Sequence, residues 1–129
     1  MDQCVRSHIA NTDGMHEIFI LEAEVLKTLA NSRRLEIIDR LAHEGPCEVS
    51  RLADEIGLGQ PNVSQHLAVL RTAGLVEAER SGREVRYHLA DPEVAEACRI
   101  MQRVLMRRFA HLGDLSTRVA ERLEPPVSV

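Results

Sequence analysis

Aromatic side chains are nearly missing from this 129-residue sequence: there is no Trp, one Tyr (Tyr87) and two Phe (Phe19 and Phe109). A module that binds single strands by stacking bases on aromatic platforms is therefore not expected. No apolar run approaches the length that spans a bilayer, so no membrane contact is expected. Residues 1–14 are polar and of mixed charge, unlike the basic-then-apolar start of a secretory leader. Three cysteines, Cys4, Cys47 and Cys98, are an odd number and do not make a disulfide scaffold. Reduced thiols and a cytoplasmic location are the matching expectation. Also missing are a glycine-rich phosphate loop, a nucleophile elbow and paired metal-binding carboxylates, which argues against an enzyme. The histidines, His8, His16, His43, His66, His88 and His111, show no HxxxH spacing, and no CxxC occurs.

What is present is an ordinary globular composition, 44% apolar and 28% charged, in a chain long enough to bury one core without staples. The net charge of -4 speaks against a polyanionic partner only until its distribution is considered. Residues 60–89 carry four basic groups against three acidic ones, while residues 1–59 are strongly acidic. Fifteen of the sixteen basic side chains are Arg, which suits bidentate contacts to phosphate or guanine.

Residues 1–14 read as a loose, flexible N-terminal arm, and 15–124 as one domain. Apolar residues at Ile18, Leu21, Val25 and Leu29 predict a first helix over Met15–Leu29. Asn31 is a capping residue for a second, with Leu35, Ile38 and Leu41 facing inward and Gly45-Pro46 ending it. A short third helix places Val49, Leu52, Ala53 and Ile56 inside, and Gly57-Leu58-Gly59 breaks it. Pro61 suits the first turn of a fourth helix, anchored by Val63, Leu67 and Leu70 and stopped by Gly74. The period then changes to two: Val85, Tyr87 and Leu89 alternate with Glu84, Arg86 and His88, a half-buried strand. Leu75 to Glu79 is its partner across a turn at Ser81-Gly82. Asp91-Pro92-Glu93 starts a last long helix, reaching to about Arg122 with a bend at Gly113; Pro125-Pro126 closes it. On this helix Arg99, Arg103 and Arg107 read as a solvated face paired with Glu93 and Glu96. The fold class is mainly α with a β-hairpin wing, in the order α-α-α-α-β-β-α.

The segment Glu48–Leu75 has the plan of a helix-turn-helix. Gln60, Asn62, Ser64, Gln65 and His66 cluster at the leading end of its second helix, where short or amide-bearing side chains can meet base edges in a major groove. The hairpin that follows bears Arg80 and Arg83 at its tip, a basic wing able to reach the flanking backbone or minor groove of double-stranded DNA. Apolar residues at the leading end would instead favour a winged-helix module that contacts protein.

The runs LKTLANSRRLEIIDRLA and EVSRLADEIGLGQPNVSQHLAVLRTAGLVEAERSGREVRYHLAD resemble the ArsR/SmtB family of bacterial transcriptional repressors over about residues 15–110. The resemblance implies a winged helix-turn-helix homodimer built through the first and last helices, which holds operator DNA until a metal ion, arsenical or thiol-reactive signal binds. The family's cysteine motif at the first helix of the helix-turn-helix is reduced here to Cys47 in Pro46-Cys47-Glu48-Val49-Ser50. Its zinc or nickel site on the last helix finds Asp91 and Glu93, but Val104 and Arg107 stand where the later ligands belong. Cys47, Cys4 and Cys98 remain as effector candidates, suited to a thiophilic ion such as arsenite. Cys47, just before a helix start, is expected to have a lowered thiol pKa, with Cys4 as its partner. Cys98, on the apolar stripe of the last helix, reads as a small buried hydrophobe. A repressor without a small-molecule inducer is the alternative.

Overall fold

A computed structural model describes residues 14–110 and 114–123, without the side chains of 114–117 and 123. The arm to Asp13, with Cys4 and His8, lies outside the described residues, as do His111–Gly113 and the closing prolines. The elements are α1 (Met15–Leu29), α2 (Ser32–Glu44), α3 (Val49–Ile56), α4 (Gln60–Thr72), β1 (Val76–Ser81), β2 (Glu84–Leu89), α5 (Glu93–Arg108) and α6 (Asp114–Leu123). The expected winged helix-turn-helix architecture is present, with one difference: the long last helix is two helices. α5 ends at Phe109, whose backbone (φ -116, ψ 38) leaves the helical region, so the break comes earlier than Gly113. No helix among the described residues is long and apolar enough to cross a membrane.

Local chemistry sets most boundaries. The Asn31 side chain accepts hydrogen bonds from the Arg33 and Arg34 amides at 3.0 and 3.1 Å, satisfying two donors that α2 leaves unpaired. Asp91 does the same for the Glu93 amide at 3.0 Å. Gly57 closes α3 in the left-handed region (φ 80, ψ 36), which gives the helix-turn-helix its turn and which L residues with a Cβ rarely adopt. β1 and β2 pair antiparallel with Ser81 opposite Glu84. The two-residue loop is therefore Gly82-Arg83, one position beyond the sequence expectation, and Gly82 (φ 65) takes the first central position as in type II′ hairpins.

The core joins Ile37, Ile38 and Leu41 of α2, Leu52 and Ala53 of α3, Val63, Leu67 and Leu70 of α4, and Leu75, Val76 and Ala95. Ile37 takes the innermost place on α2, while Leu35 packs at the edge of the cluster. Arg34 ties α2 to α1 by donating from Nη1 to the Thr28 carbonyl at 2.9 Å, a cation at the negative end of a helix. The stripe of α1 is only partly absorbed: Leu29 is buried and Val25 packs against the core, but Ile18 and Leu21 are exposed. Met15, Phe19 and Leu26 are exposed with them, and so are Ile100, Met101, Leu105 and Phe109 of α5.

Candidate nucleic-acid interface

α4 is held by one face and offered by another. Val63, Leu67 and Leu70 are each 0% exposed. Gln60, Asn62, Ser64 and Gln65 are exposed, and His66 is half-buried at the edge of the same face. Among the described residues, none of these five side chains makes a hydrogen bond or salt bridge. α4 begins at Gly59, which provides no side-chain cap, and carries Pro in its first turn. Its positive end is thus left to whatever lies in front of it.

The wing carries exposed polar groups of its own. Arg80 and Arg83 are exposed at the hairpin tip. Neither takes part in a salt bridge among the described residues. Arg86, three positions on, is paired with Glu84 at 3.3 Å. The sequence grouping therefore coincides with the unpaired polar surface of α4 and the two unpaired guanidinium groups of the wing.

The cysteines are placed differently from expectation. Cys47 is 2% exposed. Its backbone forms a bridge to Tyr87 of β2: the Cys47 amide donates to the Tyr87 carbonyl at 3.0 Å, and the Tyr87 amide donates to the Cys47 carbonyl at 2.8 Å. The thiol donates to the Glu48 carbonyl at 3.6 Å. Burial pushes its pKa up, and the negative charges of Glu55, Glu44 and Glu48 push the same way against the opposing Arg51. The expected lowering by helix amides is overturned: desolvation and three carboxylates outweigh one cation and the start of a short helix. Cys98 is half-buried against the core, as its place on the stripe predicts, and its pKa is raised by burial and by Asp39. Both are free thiols. Among the described residues, no three His, Cys, Asp or Glu side chains are grouped to hold a metal ion.

Two features had no signal in the sequence. The Cys47–Tyr87 bridge joins residues forty positions apart, and Arg122 of α6 reaches Asp39 of α2 at 2.6 Å. Neither pairing leaves a local pattern.

The comparisons with known proteins match this geometry. The family described as "Bacterial regulatory protein, arsR family" matches residues 31–78. An uncharacterised HTH-type transcriptional regulator of Mycobacterium tuberculosis is 39% identical over 102 residues, covering 76% of this chain and 90% of that protein. The HTH-type transcriptional repressor SmtB of the same species is 40% identical over 98 residues, covering 76% of this chain and 67% of its own. Among solved structures, a homodimeric winged helix-turn-helix DNA-binding domain from Mycobacterium bovis superposes with a TM-score of 0.67 at 35% identity. The match covers 78% of this chain and 93% of that one. The transcriptional repressor BigR from Xylella fastidiosa gives 0.61 at 32% identity, covering 75% and 95%.

The position of Cys47 makes a chemical prediction. Only the thiolate is alkylated, so at pH 7.5 iodoacetamide should label Cys47 roughly tenfold or more slower than a small free thiol. Its rate should still be climbing above pH 9.0, the ordinary thiol value. Peptide-resolved mass spectrometry reads both; labelling as fast as the free thiol contradicts the buried placement.

Proposed function

This chain belongs to the arsR family of bacterial regulatory proteins and is a transcriptional regulator, and we propose that it works as a homodimeric repressor of double-stranded operator DNA. The observation that carries this reading is the leading end of α4, where Gln60, Asn62, Ser64 and Gln65 are exposed without partners on a helix anchored by three buried residues. Amide and hydroxyl groups of this kind read base edges. His66 flanks them. Arg80 and Arg83 supply the sequence-independent part by neutralising phosphates beside the groove. An interaction module of the same fold would be expected to present apolar groups at the leading end, and here Val63 and Leu67 point into the core instead.

The homodimer is supported by the large apolar residues that α1 and α5 leave exposed, of the kind that marks an interaction surface where they cluster. A two-fold pair places two copies of α4 so that they meet an inverted repeat with half-sites about one helical turn apart. Sedimentation should show a dimer at micromolar concentration, and Leu105→Glu should shift it toward monomer; a parent protein that sediments as a monomer removes this part.

DNA titration tests the reading surface. Gln65→Ala should cost on the order of 1–3 kcal/mol and relax preference at one base position, whereas Arg83→Ala should weaken all sequences and flatten the salt dependence by about one unit of slope. Unchanged affinity for upstream DNA in both variants sinks the assignment.

We also propose that a metal ion, arsenical or thiol-reactive signal releases the repressor through its cysteines. Support comes from Cys47, whose backbone joins the loop before α3 to wing strand β2, so a bond formed at its sulfur disturbs helix-turn-helix and wing together. Cys4 is the proposed partner, and Cys98 has the smaller part. Release by arsenite or cadmium should be lost in Cys47→Ser and weakened in Cys4→Ser. Variants Cys47→Ser, Cys4→Ser and Cys98→Ser that all release like the parent assign the signal elsewhere.

A further inference from the structure

A cleft of about 230 Å³ lies on the flank of the domain, walled by α2, α5 and α6. Its apolar side is made by Leu35 and Val119. Its acids are already engaged. Glu36 is held by Arg33 at 2.9 Å, and Asp39 by Arg122 at 2.6 Å, with His43 Nδ1 at 3.6 Å. Two polar groups in the lining keep donors in reserve. Arg99, with 28% side-chain exposure, makes the pair with Glu96 that the sequence led one to expect, through Nη1 alone at 3.9 Å. Gln102, one turn further and half-buried, makes no hydrogen bond among the described residues. A guanidinium with one nitrogen at most in a long ion pair and an unbonded amide thus line one small cavity with most of their donors unspent.

We propose that this cleft binds a small monocarboxylate with a short apolar body, and that the bound acid is an effector of the regulator. A carboxylate accepts two parallel hydrogen bonds from Arg99 and one from Gln102, while its hydrocarbon end lies on Leu35 and Val119. Size selects a short acid, since the volume is below the usual range of about 300–1,000 Å³ for drug-sized ligands. Charge selects a monoanion, because a dianion such as phosphate would face Glu36 and Asp39. The seated carboxylate adjoins the Asp39–Arg122 pair that ties α6 to α2 and competes with Asp39 for the guanidinium. α2 contributes Ile37, Ile38 and Leu41 to the core that anchors α4, so a change in its seating reaches the DNA-facing surface. The effector role rests on the operator-binding reading; the binding site does not.

The probes are butyrate and benzoate, with butylamine and inorganic phosphate for comparison, followed through backbone amide shifts of the full chain by NMR. Butyrate or benzoate should give saturable shifts concentrated in α2, α5 and α6. Arg99→Met should weaken that binding roughly tenfold or more, as expected for loss of a charge-assisted pair, and Gln102→Leu by less. Saturating acid should change the parent's affinity for its upstream DNA by about fivefold or more. It should leave Arg99→Met unchanged and act on Cys47→Ser as on the parent. Arg99→Met should match the parent on DNA without ligand, which verifies its fold. The absence of saturable shifts, an equal response to butylamine or phosphate, or parent-like binding by Arg99→Met overturns the site. Saturable binding with unaltered DNA affinity overturns the effector role. A parent that fails to bind its upstream DNA without any ligand refutes the operator reading instead, and the NMR measurements still judge the cleft.

Discussion

The anchoring of one face of α4 governs the arrangement of the rest. Val63, Leu67 and Leu70 have no solvent exposure, and each meets side chains from α2, α3 or the start of the wing within a single cluster. Interiors of this kind are close-packed, and truncating a buried Leu costs about 2–5 kcal/mol, a large share of the stability of a small domain. The helix therefore has one way to sit. With its inner face fixed, helical periodicity turns Gln60, Asn62, Ser64 and Gln65 outward. The polar front is exposed because the apolar back is not negotiable.

A second constraint concerns what one copy of the chain leaves uncovered. α1 presents Met15, Ile18, Phe19, Leu21 and Leu26 to solvent, and α5 presents Ile100, Met101, Leu105 and Phe109. These residues follow helical spacing as regularly as those of the core, so the same patterning that builds a monomer interior has been extended beyond it. Between this apolar surface and the polar front stands a small set of linking contacts. Arg34 holding the Thr28 carbonyl is the most direct, since it fixes the end of α1 against the first turn of α2. The seating of α1 against α2 is thereby held by a hydrogen bond at the helix end.

The sequence was legible wherever the determining interaction was local. Asn31, Asp91, Gly57, Gly82 and Pro61 act within a few residues of themselves, and the element borders they imply are found within a position or two. The anchoring and outward faces of α4 were legible because both follow from one period. The environment of Cys47 was not. Its neighbour Glu48 is visible in the sequence, but its burial and the approach of Glu55 come only through folding, and they turn an expected reactive thiol into one of raised pKa. The stripe on α1 was legible as apolar, and the expected pairing through the first and last helices already required it to be uncovered in one copy; that Val25 and Leu29 turn to the core while Ile18 and Leu21 stay exposed was not. Arg99 was legible as the partner of its i−3 neighbour Glu96, and that pair is present at 3.9 Å, but only the placement of α6 shows the same side chain lining a cleft. The break after Arg108 carried no proline or glycine at that point, so the pattern ran through it.

The bridge between Cys47 and Tyr87 also bears on solubility. A lone two-stranded hairpin presents two rows of unpaired backbone groups, and such edges invite pairing with strands of other molecules. On the outer side of β2, the loop residue Cys47 takes up both backbone groups of Tyr87 at the middle of the strand, so a foreign strand finds that edge interrupted where it would need continuity. Among the described residues, no backbone bridge covers the outer edge of β1 in this way. That strand carries Glu77, Glu79 and Arg80, charged side chains that disfavour stacking of one hairpin edge against another. The hairpin thus leaves little uninterrupted edge on which strands of other molecules could build.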